Sequence, residues 1–214
     1  MLYDFPPFSD DIIKQGDIFL NIPHVQFEFS DGLSVLGEDA IDNIPWKELV
    51  SKKEESDVAV VLGVTSVPAI VITQTCDAQR KEYITLCEIE ELSSIGGFKS
   101  SPQTLKSEVR NLISQNKKKP DFFYLPSDKN IGFTDRMAVN FSNTIRLLRE
   151  DLESLLENRK ARLNEITYDY FREKLSDFFR RYAFNEWFML KKDEVEHYKG
   201  YSDLRPKDFY DWQK

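Results

Sequence analysis

Thr73, Gln74, Thr75, Cys76 and Asp77 stand together in the chain, with Arg80 three residues further on. They combine two hydroxyls, an amide, a thiol, a carboxylate and a guanidinium. That set can hold a polar partner group, or set a charge and a hydroxyl around a phosphate. The cluster follows a run of Val and Ile and precedes another. It therefore sits where a buried strand emerges, a common place for a site. Two readings are open: Thr75 and Asp77 cap a turn, or the cluster from Thr73 to Arg80 recognises a partner.

Other chemistry has little to work with. His24 and His197 are the two histidines and lie far apart in sequence, which is thin material for a two-histidine metal site or a Ser-His-Asp triad. Neither G-x-x-x-x-G-K-[ST] nor G-x-G-x-x-G occurs. No cofactor and no metal are expected. Glu88, Glu90 and Glu91 bring carboxylates close together. Alternation along a strand puts Glu88 and Glu90 on one face, as an acid–base pair or as solvated edge charges. Cys76 and Cys87 have no metal-ligand spacing, and read as reduced thiols of a cytosolic protein.

The elements that position these residues centre on 58–89, the most apolar stretch. It holds three runs rich in β-branched residues: Val58–Val64, Ala69–Thr75 and Tyr83–Ile89. Thr65-Ser66-Val67-Pro68 reads as a turn-like break between the first two. The short connections predict adjacent antiparallel strands. Upstream, Phe5, Phe8, Ile12 and Ile13 form an arm. A strand at Ile18–Ile22 is expected to end at Pro23. Val25, Phe27 and Phe29 alternate with polar residues, and Asp31-Gly32 predicts a hairpin into Leu33–Leu36. A short helix is expected at Trp46–Val50.

Beyond Gly96-Gly97 the pattern turns helical. Ser101-Pro102 starts one predicted helix, with Leu105, Val109, Leu112 and Ile113 on one side. Strands follow at Phe122–Leu125 and Met137–Phe141. A second helix is predicted over Ser142–Asn158, and a third from about Thr167 with Phe171, Leu175, Phe178 and Tyr182 aligned. The expected fold class is α+β, with residues 1–98 a β-rich part, a small barrel or sandwich, and residues 99–214 a mainly helical extension packed on it.

Charge is uneven. Residues 1–98 carry 6 Lys and Arg against 18 Asp and Glu, a net −12, while the whole chain stands at −8. An acidic surface repels phosphates. The acidic start lacks the basic, then apolar, pattern of a signal peptide, and no apolar run is long enough to span a bilayer. A cytoplasmic protein without a membrane role is expected.

Gly16-Asp17-Ile18, and later Val67-Pro68-Ala69-Ile70-Val71-Ile72-Thr73, resemble the MazF/PemK family of toxin barrels, which begin with a G-D-I/V strand and continue with an R-P-A-V-V-L-S strand. The pattern Thr73-Gln74-Thr75-Cys76-Asp77 is also similar to uncharacterised prokaryotic barrels with a helical C-terminal extension. Arg159–Leu163 and Phe178-Phe179-Arg180-Arg181 resemble that extension. The resemblance implies a small SH3-like antiparallel barrel over roughly residues 14–92, frequent homodimers, and a place in toxin–antitoxin or defence-type systems. It also implies sequence-specific endoribonuclease activity in the toxins themselves. Here Val67 stands where the toxins carry their catalytic Arg, and Glu88, Glu90 and Glu91 where their catalytic Ser or Thr would lie. The expectation is a non-catalytic binding or regulatory module with a protein partner, and RNA disfavoured by the acidic barrel. The alternative is an endoribonuclease with a relocated site built from Arg80, Thr75 and Asp77.

Overall fold

A computed structural model describes residues 2–25, 32–36, 41–51, 59–95 and 120–180. The helix predicted from Ser101, and the aromatic run 27–29, lie outside these residues. The described part is α+β. Its centre is a seven-stranded antiparallel sheet in the order β1-β9-β2-β5-β6-β8-β7. The strands are β1 (Tyr3–Asp4), β2 (Asp17–Val25), β5 (Val64–Val71), β6 (Tyr83–Glu91), β7 (Phe122–Leu125), β8 (Met137–Leu148) and β9 (Arg159–Leu163). A separate hairpin pairs β3 (Leu33–Leu36) with β4 (Ile41–Ile44), and α1 (Trp46–Ser51) follows it. Helices α2 (Thr75–Ala78), α3 (Arg149–Ser154) and α4 (Glu165–Phe179) complete the order, with a 3₁₀ turn at Leu156–Asn158. Among the described residues no helix is long and apolar enough to cross a membrane.

Three sequence expectations are corrected. Thr65–Pro68 is not a break between strands. It lies within β5, whose Thr65, Ser66 and Val67 pair with His24, Pro23 and Ile22. Nor does Pro23 end β2, which runs to Val25. Pro68 is accommodated because the β2–β5 register slips beside it, from Phe19↔Ala69 to Ile22↔Val67. Asn21, with φ of 57°, carries the kink, a conformation that Asn tolerates better than most residues. Third, Ser142–Leu148 is strand and not helix. It continues β8 against β6, with Leu86↔Ile145 and Ile84↔Leu147 in register. Beyond the helix predicted over Ser142–Asn158, Arg159–Leu163 is β9, whose alternate residues Arg159, Ala161 and Leu163 are buried. Three of the seven strands therefore come from beyond residue 98.

The sheet is covered on both faces. Along one, Phe19, Ile22, Ala69, Val71, Ile84, Leu86 and Ile145 form a cluster closed by Ala78 of α2 and Leu152 of α3. The residues between them, Ile18, Ile70 and Cys87, point the other way and are also buried. Phe171 of α4 is fully buried, with its ring 5.2 Å from Phe123 and 5.8 Å from Phe141. Burial of such a side chain contributes about 1.5–3 kcal/mol.

Asp17 fastens the sheet's β9 side. It is wholly buried at the start of β2. Arg159 Nη1 reaches its carboxylate at 3.2 Å, and Arg162 Nε and Nη2 at 2.5 and 3.1 Å. Both guanidinium groups lie over the Phe8 ring, and both donate to the Ile12 carbonyl, at 2.9 and 3.1 Å. The Gly-Asp-Ile motif and the Arg-x-x-Arg spacing thus meet in one structural joint that also ties down the N-terminal arm.

The chain divides into two compact units after Leu175. In the second, the described residues end at Arg180, with the Phe178 and Phe179 rings edge to face at 5.1 Å.

Candidate functional site

β5 and β6 pair over three residues only, Ala69–Val71 against Leu86–Glu88. The cause is local chemistry. Ile72 N–H donates to the Thr85 carbonyl at 3.0 Å, which sets the phase of the ladder. Ile70 with Cys87 is the next hydrogen-bonded pair, and Pro68 with Ile89 the one after. Proline has no N–H, so the ladder stops there. β5 and β6 do not pair beyond this point, and a cleft of about 440 Å³ lies there, lined by Pro68, Glu88, Ile89, Glu90, Glu91, Ser94, Met137 and Asn143.

The far wall is built by an irregularity in β8. Cys87 pairs with Thr144, but Ile89 pairs with Val139, so the stretch Asn140–Asn143 bulges between them. The bulge aims two amides at the glutamates. Asn143 Nδ2 donates to Glu88 Oε2 at 2.5 Å, and Asn140 Nδ2 donates to Glu90 Oε1 at 2.7 Å. Ser142 N–H donates to Asn140 Oδ1 at 3.0 Å and fixes that amide's direction.

His24 arrives from β2. Its side chain is buried, and Nδ1 lies 3.0 Å from Glu88 Oε2. The ring nitrogen meets the carboxylate off the line of a full hydrogen bond, so proximity, more than angle, carries this pairing. Burial pushes the Glu88 carboxyl above its ordinary range, and the neighbouring Glu90 charge adds to that. His24 and Asn143 pull in the opposite direction without reversing the shift. Each glutamate uses one oxygen in these contacts. Oε1 of Glu88 and Oε2 of Glu90 have no partner among the described residues. The cleft is thus a pair of oriented, incompletely satisfied carboxylates, suited to an ammonium or guanidinium group and hostile to phosphate.

The cluster singled out in sequence lies at the opposite end of the β5–β6 ladder, and its members mostly hold one another. Thr73 Oγ1 accepts from Thr85 N–H at 2.7 Å. Thr75 Oγ1 accepts from Gln15 N–H at 3.2 Å. Asp77 pairs with Lys81 at 2.9 Å and Arg80 at 3.3 Å, and Arg80 Nε donates to the Cys76 carbonyl at 3.0 Å. The hydrogen bond from Lys81 is the main cause holding the Asp77 carboxyl below its ordinary range. Gln74 and Cys76 face solvent. The structure brings these six residues into one turn of chain. It does not bring them to the cleft.

Among the described residues no group of three or more His, Cys, Asp and Glu is placed to hold a metal ion. No model of a known protein family matches the chain, and no curated protein matches it.

Proposed function

We propose that this chain is a non-catalytic, MazF/PemK-like barrel of SH3-like type, a cytoplasmic binding or regulatory module for a protein partner in a prokaryotic toxin–antitoxin or defence-type system. One observation carries the reading. The cleft beside Pro68, where the resemblance puts the toxins' catalytic groups, is walled by Glu88 and Glu90 instead of by cations. By the same resemblance, the half-buried Val67 stands at the toxin arginine's position. A scissile phosphate needs donors and positive charge around it, and two carboxylates supply the reverse. The curved contact of His24 on β2 with Glu88 on β6, across β5, supports a barrel-like sheet. The loop from Thr73 to Arg80, with exposed Gln74 and Cys76, offers a second contact for the partner, and a homodimer is compatible with either surface.

The test is incubation of the purified chain with a mixed-sequence RNA pool, followed by sequencing of the ends. No specific cuts are expected. Cuts that disappear in Arg80→Ala or Asp77→Ala would overturn the proposal in favour of an endoribonuclease acting through Arg80, Thr75 and Asp77.

A further inference from the structure

No further inference is drawn: the strongest candidate, the acidic cleft beside Pro68 walled by Glu88 and Glu90, belongs to the site already described, and its carboxylates, held by Asn143 and Asn140, have no second feature among the described residues that points to a ligand.

Discussion

His24 Nδ1 lies 3.0 Å from Glu88 Oε2, joining β2 to β6 over the intervening strand β5. The pair ends the apolar cluster on that face of the sheet, where Phe19, Ala69 and Leu86 give way to the cleft. A carboxylate in that position is poorly hydrated, which is why its proton is held more tightly than in water.

The sign of its pH dependence follows. The folded state raises the Glu88 carboxyl, so stability from this group is full below the ordinary carboxylate range and is lost as pH rises through the raised value. Glu88→Gln removes that loss. Relative to the natural chain, the variant should gain stability as pH rises above the ordinary glutamate value of ~4.3. Urea unfolding at stepped pH measures the difference, and a flat or falling difference would contradict it.

Asp17 is the opposite case, a buried carboxylate matched by two guanidinium groups. Asp17→Asn keeps the shape but leaves Arg159 buried without its countercharge. Breaking such a pair from one side costs about 3–5 kcal/mol. Urea unfolding midpoints for Asp17→Asn should fall accordingly. A loss below ~1 kcal/mol, the range of an exposed ion pair, would show that the joint is not what fastens β9 to β2.

The Asp77 turn should behave as a surface feature. Lys81 and Arg80 hold its carboxyl low, so its contribution is present above the ordinary carboxylate value and fades as pH falls through the lowered one. Asp77→Ala should leave the melting temperature nearly unchanged at pH 7, and any small difference from the natural chain should vanish in acid. Loss of partner binding in the same variant would assign the turn to recognition. A large drop in melting temperature would assign it to folding.

What the sequence revealed and what it hid have separable causes. Ala69–Val71 and the run from Tyr83 were legible because β-branching and burial act locally. The strand predicted over Val58–Val64 is not one in its described part: Val60 makes an isolated bridge to Val35, only Val64 joins β5, and Val61 and Val64 stay exposed. β6 and β7 fall where the pattern puts them, as does α1. Ser142–Leu148 misled because Ile145, Leu148 and Leu152 fit a helical spacing, while the two-residue rhythm of Phe141, Asn143, Ile145 and Leu147 fits a strand equally well. The long-range partner β6 decided for the strand. Pro68 read as a breaker because its lost donor is visible and the compensating slip at Asn21 is not. At the cleft, Glu88 and Glu90 were visible as neighbours on one face. His24 and Asn143 were not, because distant strands bring them there and no local spacing marks them.

The two cysteines should separate cleanly. Cys76 is exposed, while Cys87 is buried and burial pushes its thiol up to about 12. The thiolate is the reactive form. A maleimide at pH 7 should therefore modify one thiol per folded chain, at Cys76, and two after denaturation. Peptide mapping by mass spectrometry reads the site. Rapid native labelling of Cys87 would show that β5, β6 and β8 open far more readily than their packing implies.

The β5–β6 ladder ends at Pro68, and supplying an N–H there should extend it. Pro68→Val supplies an N–H at the position where the ladder next calls for a donor to Ile89. β-Branching suits the strand, and the register slip opposite already accommodates the residue. One added ladder bond contributes about 0.5–1.5 kcal/mol net. The variant should unfold at higher urea, and its new amide at position 68 should be protected from exchange. The unfavourable term is the approach of Glu88 and Glu90 to β5, which grows as the strands close. If the amide at 68 exchanges freely, carboxylate repulsion, and not the proline, is what keeps β5 and β6 from pairing further. Pro68→Val combined with Glu90→Gln would then extend the ladder where the single change does not.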